Sequence, residues 1–165
     1  LIDQAAARVR IASTSRPAEI QELEAELAQL KRYAAATADG HGRTLIEDPR
    51  VRDKIVRIEM DVMALEMLLL RVATQAAGAP GPEASIVKIR GSELQQDLAM
   101  LQMEIAGPDA WPFDSAWLDG GGQAVDSPAW AACATATYFD MRKTTIFGGV
   151  TEVQKNIISK AILGL

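Results

Sequence analysis

The stretch Asp48-Pro49-Arg50-Val51-Arg52-Asp53-Lys54-Ile55-Val56-Arg57-Ile58-Glu59-Met60-Asp61-Val62-Met63-Ala64-Leu65-Glu66-Met67-Leu68-Leu69 carries its apolar residues in a helical rhythm. Val51, Ile55, Ile58, Val62, Leu65 and Leu69 recur three or four positions apart, which stacks them on one face of an α-helix. Val56, Met60, Met63 and Met67 widen that stripe. A wide stripe predicts contact with more than one neighbour, and the methionines read as core filling, because an unbranched thioether fits irregular gaps. Asp48 is a good N-cap and Pro49 suits a first turn. Gly78-Ala79-Pro80-Gly81-Pro82 stops the helix, so it is predicted to run to about Ala77.

Working outward, Ser15-Arg16-Pro17 opens an earlier helix by the same logic. Ile20, Leu23, Leu27, Leu30 and Ala34 form its stripe, and Glu22, Glu24, Glu26 and Gln29 fill the rest of its surface as far as about Thr37. Asp39-Gly40-His41-Gly42 then breaks it. Residues 1–14 read as the stump of a preceding amphipathic helix. Downstream, a third helix is predicted from about Glu83 to Ala106, with Ile86, Ile89, Leu94, Leu98, Leu101 and Ile105 inward and Gly107-Pro108 at its end. Gly91 inside it marks a close helix contact, since an interior Gly otherwise costs about 1 kcal/mol against Ala. Residues 108–126 read as loop. Ser127-Pro128 starts a fourth helix ending near Arg142, and Thr144 to Val150 form a glycine-bearing turn. Thr151-Glu152-Val153-Gln154 matches a capping box, so a last helix is predicted from Glu152 to about Ile162. The fold class predicted is all-α: an antiparallel four-helix-bundle-type domain with an additional C-terminal helix.

Composition agrees with one helical domain. The 165 residues are 48% hydrophobic and only 5% aromatic, so aliphatic side chains and Met supply the core. A net charge of −5 with no dense Lys/Arg face argues against a nucleic-acid footprint. Glu66 and Arg71 interrupt the most apolar stretch, so no run approaches the ~20 apolar residues of a membrane span. One cysteine, Cys133, makes no internal disulfide, which points to a reducing compartment, the cytoplasm; its alanine-rich surroundings read as helix packing. The first residue is Leu1 rather than Met, and this is read as the loss of an N-terminal part of a longer protein.

Little in the residues alone points to an autonomous active site. The single histidine, His41, sits in a glycine-flanked turn and reads as a surface residue. With one His and one Cys there is no di-iron or zinc set, so no metal site is expected. Glu59 and Glu66 lie among apolar residues and are expected to sit at the stripe's edge or to pair with Arg57 or Arg71 rather than to act as acids or bases. Phe147-Gly148-Gly149, directly before the helix start at Thr151, is the most suggestive feature. Glycines allow close backbone approach, and free N–H groups at a helix start favour anions and polarised carbonyls.

Thr144-Thr145-Ile146-Phe147-Gly148-Gly149-Val150-Thr151-Glu152-Val153-Gln154-Lys155-Asn156-Ile157-Ile158, followed by Ala161-Ile162-Leu163-Gly164-Leu165, closely resembles the C-terminal signature of acyl-CoA dehydrogenases. Leu45-Ile46-Glu47-Asp48-Pro49 resembles the lead-in to that family's long helix. Ala84-Ser85-Ile86-Val87-Lys88 resembles the start of the next helix, and Glu104-Ile105-Ala106-Gly107-Pro108 its end. The resemblance is nearest to the branch found in bacterial steroid and lipid breakdown. It implies the helical C-terminal domain over residues 1–165, without the N-terminal helical and middle β domains. It further implies an enzyme that, as a full-length protein, oxidises an acyl-CoA to a 2-enoyl-CoA. In that reaction FAD takes a hydride from the β-carbon, a carboxylate removes the α-proton, and electrons pass to an electron-transfer flavoprotein. A homo- or hetero-oligomer, dimer or tetramer, is implied as well.

Residue by residue, the resemblance places Gly148 where many members carry the catalytic Glu, leaving its backbone N–H to polarise the thioester carbonyl. Members that keep the base earlier have it in a Glu-Arg pair, over which Ala6-Ala7-Arg8 can be laid, with Ala7 at the Glu. The positions implied for cofactor contact are Glu104, Gly107, Gly149, Val150 and Glu152. Val150 replaces a Thr, Glu104 a Gln, and the Arg of the family's Arg-x-x-Phe-Gly motif is missing from Ala38-Asp39-Gly40-His41-Gly42. These departures keep alternatives open: a non-catalytic partner subunit that packs on a catalytic relative, or a helical oligomerisation module. The isolated chain is expected to be inactive.

Overall fold

The computed structural model describes residues 17–74, 81–111 and 127–164. Helix α1 spans Ala18–Ala36, α2 Pro49–Thr74 and α3 Pro82–Ala106. These three follow from the spacing of their apolar residues. Every member of the α1 stripe, Ile20, Leu23, Leu27, Leu30 and Ala34, is buried. They pack against Ile55, Ile58, Val62 and Leu65 of α2 and Leu94, Leu98, Leu101 and Ile105 of α3 as one core. The expected end of α2 at Ala77, the expected cap of α1 at Ser15 and the stretch over residues 1–14 fall outside the described residues.

Local polar chemistry sets the boundaries. Asp39 closes the turn after α1: its carboxylate accepts from the backbone N–H groups of His41 at 2.8 Å and Arg43 at 2.9 Å. The Arg43 amide, more than any other partner, holds that carboxyl below its ordinary range. Gly42 supplies the positive φ of 79° that the turn requires. His41 is exposed there, a turn residue. Thr44 and Glu47 form a capping box on a short 3-10 turn, Leu45–Glu47. Asp48 then caps α2, its carboxylate accepting from the Arg50 N–H at 2.8 Å.

After α3, Gly107 adopts φ 55° and a 3-10 turn, Gly107–Ala110, leads out of the bundle. The fourth helix departs from expectation: it is broken into α4, Ala129–Ala132, and α5, Ala134–Met141, at Cys133. No Gly or Pro marks the break. Packing imposes it: Trp130 stacks on Tyr33 with ring centroids 4.1 Å apart, while Ala131 and Ala134 bury against Ala106 and Ala110. Thr135 Oγ1 also donates to the Ala110 carbonyl at 2.5 Å. The last helix, α6, spans Thr151–Ile158 and continues as a π-turn, Ser159–Leu163, which Gly164 ends with a left-handed φ of 69°.

Three further expectations need correction. The methionine face is not core: Met60, Met63 and Met67 are 64%, 63% and 67% exposed. Periodicity marks them apolar, but α1 and α3 cover only the other side of α2. Glu59 pairs with Lys31 of α1, not with Arg57, which is held by Asp53. The capping box at α6 does not form, because Val150 occupies the cap and the Thr151 hydroxyl turns back to the Thr145 carbonyl.

Gly91 is not crowded either, since a Cβ there meets only Leu65 Cδ2 at 4.0 Å. Gly91→Ala is therefore expected to stabilise the chain by about 0.5–1 kcal/mol through helix propensity, raising Tm by about 1–4 °C. A thermal melt checks this; a lower Tm would mean that the backbone at Gly91 needs its present freedom.

Candidate functional site

The glycine turn before α6 is held against α3 by a polar stripe. Lys88, Ser92 and Gln96 recur every four residues along α3, on the side away from the core. The Lys88 and Gln96 side chains serve the 3-10 turn Arg142–Thr145, while the Ser92 hydroxyl donates back to the Lys88 carbonyl at 2.6 Å. Lys88 Nζ donates to the Thr144 carbonyl at 3.1 Å. Gln96 Nε2 donates to the Met141 carbonyl and to Thr144 Oγ1, both at 3.2 Å. The Thr144 hydroxyl donates to the Met141 carbonyl at 2.7 Å, and the Ser92 carbonyl lies 3.5 Å from it. Sequence reasoning missed this stripe as a functional feature; its signal was the four-residue repeat of polar side chains.

Above this platform the chain passes through Gly148 and Gly149 with φ of 66° and 101°. These values favour glycine at both positions. Gln154 Nε2 reaches back to the Gly148 carbonyl at 3.2 Å and fixes the turn from the α6 side. Among the described residues, no acceptor engages the Gly148 or Gly149 amide. The amides stand at the start of α6, where the helix dipole adds partial positive charge, and Lys88 lies beside Gly148. Such a turn can hold a carbonyl oxygen or an anion. It offers no general base: the side chain at Gly148 is a hydrogen. Phe147, Val150, Val153 and Ile157 flank it as an exposed apolar face.

The expected cofactor positions divide between two places. Gly149, Val150 and Glu152 share this turn; Glu152 is exposed in the first turn of α6, where a carboxylate suits the helix dipole. Glu104 and Gly107 lie at the far end of α3. From Lys88 to Glu104 is about 24 Å along the helix. Glu104 forms an ion pair with Lys54 Nζ, 2.6 Å from Oε1, and so faces α2. The structure thus does not bring the two groups together within this chain. Ala7 lies outside the described residues.

One flank of α3, next to the polar stripe, borders a cavity of about 440 Å³ lined by Glu22, Glu26, Leu65, Val87, Gly91 and Met141. Partial desolvation beside these walls raises the Glu26 carboxyl above its ordinary 4.5, although the residue remains exposed. A raised native value means that the folded chain binds this proton more tightly than the unfolded one. Stability from this group is therefore greatest below pH 4.5, declines as pH rises through the native value, and stays lower above it. Because Glu26 is exposed and screened by solvent, Glu26→Gln is expected to stabilise the chain only slightly at pH 7 and to flatten the profile modestly between pH 4 and 7. Denaturant melts at the two ends of that range check this; an unchanged slope would remove Glu26 as a contributor.

Among the described residues, no group of His, Cys, Asp or Glu is placed to hold a metal ion. No described helix is long and apolar enough to cross a membrane.

Residues 5–163 match the family model described as the acyl-CoA dehydrogenase C-terminal domain. The chain belongs to the acyl-CoA dehydrogenase family. It is 28% identical over 147 residues to acyl-CoA dehydrogenase FadE26 of Mycobacterium tuberculosis, covering 84% of the chain and 34% of that protein. Among solved structures it resembles the ChsE4-ChsE5 complex from Mycobacterium tuberculosis, with a TM-score of 0.68 at 24% identity over 87% of the chain and 35% of that chain. The FAD complex of PigA is also similar, with a TM-score of 0.66 at 18% identity over 89% of the chain and 34% of that chain. The chain thus spans about a third of the length of the relatives it matches. The all-α architecture agrees with this domain.

Proposed function

We propose that this chain is the C-terminal helical domain of a longer, FAD-dependent acyl-CoA dehydrogenase of the cytoplasm, and that other domains complete its site. The observation that carries the reading is the turn at Gly148: two positive-φ glycines at a helix start, with unengaged amides and no side-chain base. The Gly148 N–H binds the thioester carbonyl of an acyl-CoA and stabilises the enolate-like charge that develops when the α-proton leaves. Lys88 and Gln96 hold the turn in that position. FAD, where the full-length protein binds it, would supply the hydride acceptor for the β-carbon. This chain fits that group poorly on its own: Val150 lacks a hydroxyl, Glu104 is engaged by Lys54, and Glu152 is a carboxylate. We therefore assign the flavin contacts and the base to segments outside the described residues. The match to acyl-CoA dehydrogenase FadE26, together with the resemblance to the family's steroid- and lipid-breakdown branch, supports a place in that chemistry, with electrons leaving to an electron-transfer flavoprotein.

A second reading is favoured by the same lack of a carboxylate at Gly148. In it the parent protein is a non-catalytic subunit that pairs with a catalytic relative in a hetero-oligomer. Steady-state dye reduction tests the proposal. The full-length protein is expected to reduce dye when acyl-CoA is added, and the 165-residue chain alone is expected to show no turnover. Turnover by the isolated chain would overturn the division of labour. Inactivity of the full-length protein, with activity restored by a related dehydrogenase, would favour the second reading.

A further inference from the structure

Burial fades at the end of the bundle where α1 begins and α2 ends. Ile55, Ile58, Val62 and Leu65 of the α2 stripe are buried, but its next member, Leu69, is only partly covered, as is Val87 near the start of α3. The helices part there. α1 meets α4 through the Tyr33–Trp130 stack, but toward the start of α1 the groove of about 440 Å³ lies between α1 and α5. Leu23, Leu65, Leu69, Val87 and Met141 supply its apolar lining. Glu19, Glu22 and Glu26 border its α1 side, three and four residues apart and so stacked on one flank, where like charges repel. Among the described residues, no Lys or Arg pairs with any of the three.

We infer that residues 2–12 of this same chain dock in the groove as a helix that runs back along α1. Three observations favour that occupant. First, the groove lies where the segment leaves. Pro17 caps α1 in an extended conformation, φ −54° and ψ 136°, so the chain before it does not continue the α1 axis. The acidic border starts at Glu19 and ends at Glu26, about 10 Å along the helix. Residues 2–12 as a helix span about 16 Å, and residues 13–16 are long enough for the link. Second, the pattern fits an apolar floor. Ile2, Ala5, Val9 and Ala12 recur three and four residues apart on one narrow stripe. Third, the charges are opposite. Residues 1–16 carry Arg8, Arg10 and Arg16 against Asp3 alone. Arg8 and Arg10 stand about 100° to either side of Val9, so with the stripe inward one of them faces the α1 flank. The tether sets an effective concentration of about millimolar order, so even a weak contact is well populated. The inference does not rest on the acyl-CoA reading, because no residue of the signature turn lines the groove.

Paramagnetic broadening of NMR signals in the 165-residue chain tests the docking. The nitroxide is attached at Gln4→Cys, off the apolar stripe, in a Cys133→Ala background. The amide signals of Leu69, Val87 and Met141 are expected to broaden, while those of Lys54 and Glu104, at the other end of the bundle, stay sharp. Arg8→Glu with Arg10→Glu exchanges attraction for repulsion and is expected to lower the ratio of docked to free segment about tenfold, which sharpens the groove signals. Adding Glu19→Lys and Glu22→Lys is expected to restore the broadening. Both glutamates are exposed, so their exchange leaves the core untouched. Groove signals that are sharp before any charge is changed, broadening spread equally over both ends, or a charge exchange that restores nothing would each overturn the inference. The first of these outcomes would leave the groove to another part of the longer protein.

Discussion

Leu98→Ala lowers the unfolding free energy by about 3–4 kcal/mol. Leu98 is fully buried in the middle of α3, and all three long helices contribute to the cluster around it. Removing its isobutyl group loses the transfer free energy of the buried carbons and leaves a cavity that three packed helices cannot collapse into. Domains of this size are stable by about 5–15 kcal/mol, so one such change consumes a large share of the total. Urea melts are the measurement, and the midpoint should fall while the slope stays constant. A loss below about 1 kcal/mol would mean that α1, α2 and α3 do not meet at this residue.

Gly149→Val acts on the site rather than the core. At φ 101° a β-branched side chain is strained by about 1–3 kcal/mol. Its Cβ would also collide with the Gln154 side-chain amide. Gln154 must then swing out and give up the Gly148 carbonyl, a further loss of about 1 kcal/mol. The damage stays local, because α6 carries none of the fully buried side chains. Hydrogen exchange should therefore quicken at the amides of α6 while those of α2 and α3 hold their protection. In the full-length protein, acyl-CoA oxidation should fall with it. Unchanged exchange in α6 would mean that the turn tolerates a side chain and does not depend on glycine.

The parts of the fold legible in sequence were those governed by local spacing. The α1 stripe buries all of its expected residues because three–four periodicity and one-sided burial are the same fact. Asp48 capped α2 as expected because capping is decided within three residues. What failed depended on distant partners. Lys31 lies 28 residues from Glu59, and no local pattern joins them. The break at Cys133 follows from the Tyr33–Trp130 stack and the alanine contacts on the two sides of α3's end, not from a helix breaker. Met60, Met63 and Met67 read as core because periodicity identifies an apolar face without saying what covers it. At the site, the glycine pair was visible from sequence. The Lys88–Ser92–Gln96 platform beneath it was not, since its meaning comes only from the turn that it holds. Glu104 likewise gave no sign that Lys54, 50 residues away, would engage it.

The central claim is that this helical domain belongs to a working flavin enzyme whose base and flavin contacts lie elsewhere in the protein. The visible absorption spectrum of the purified full-length protein, recorded anaerobically before and after addition of acyl-CoAs, tests it most directly. The account predicts an oxidised-flavin spectrum that bleaches when a suitable acyl-CoA is added. A protein without flavin, or with flavin that no acyl-CoA bleaches, would contradict it and assign the chain to a subunit that serves a catalytic relative.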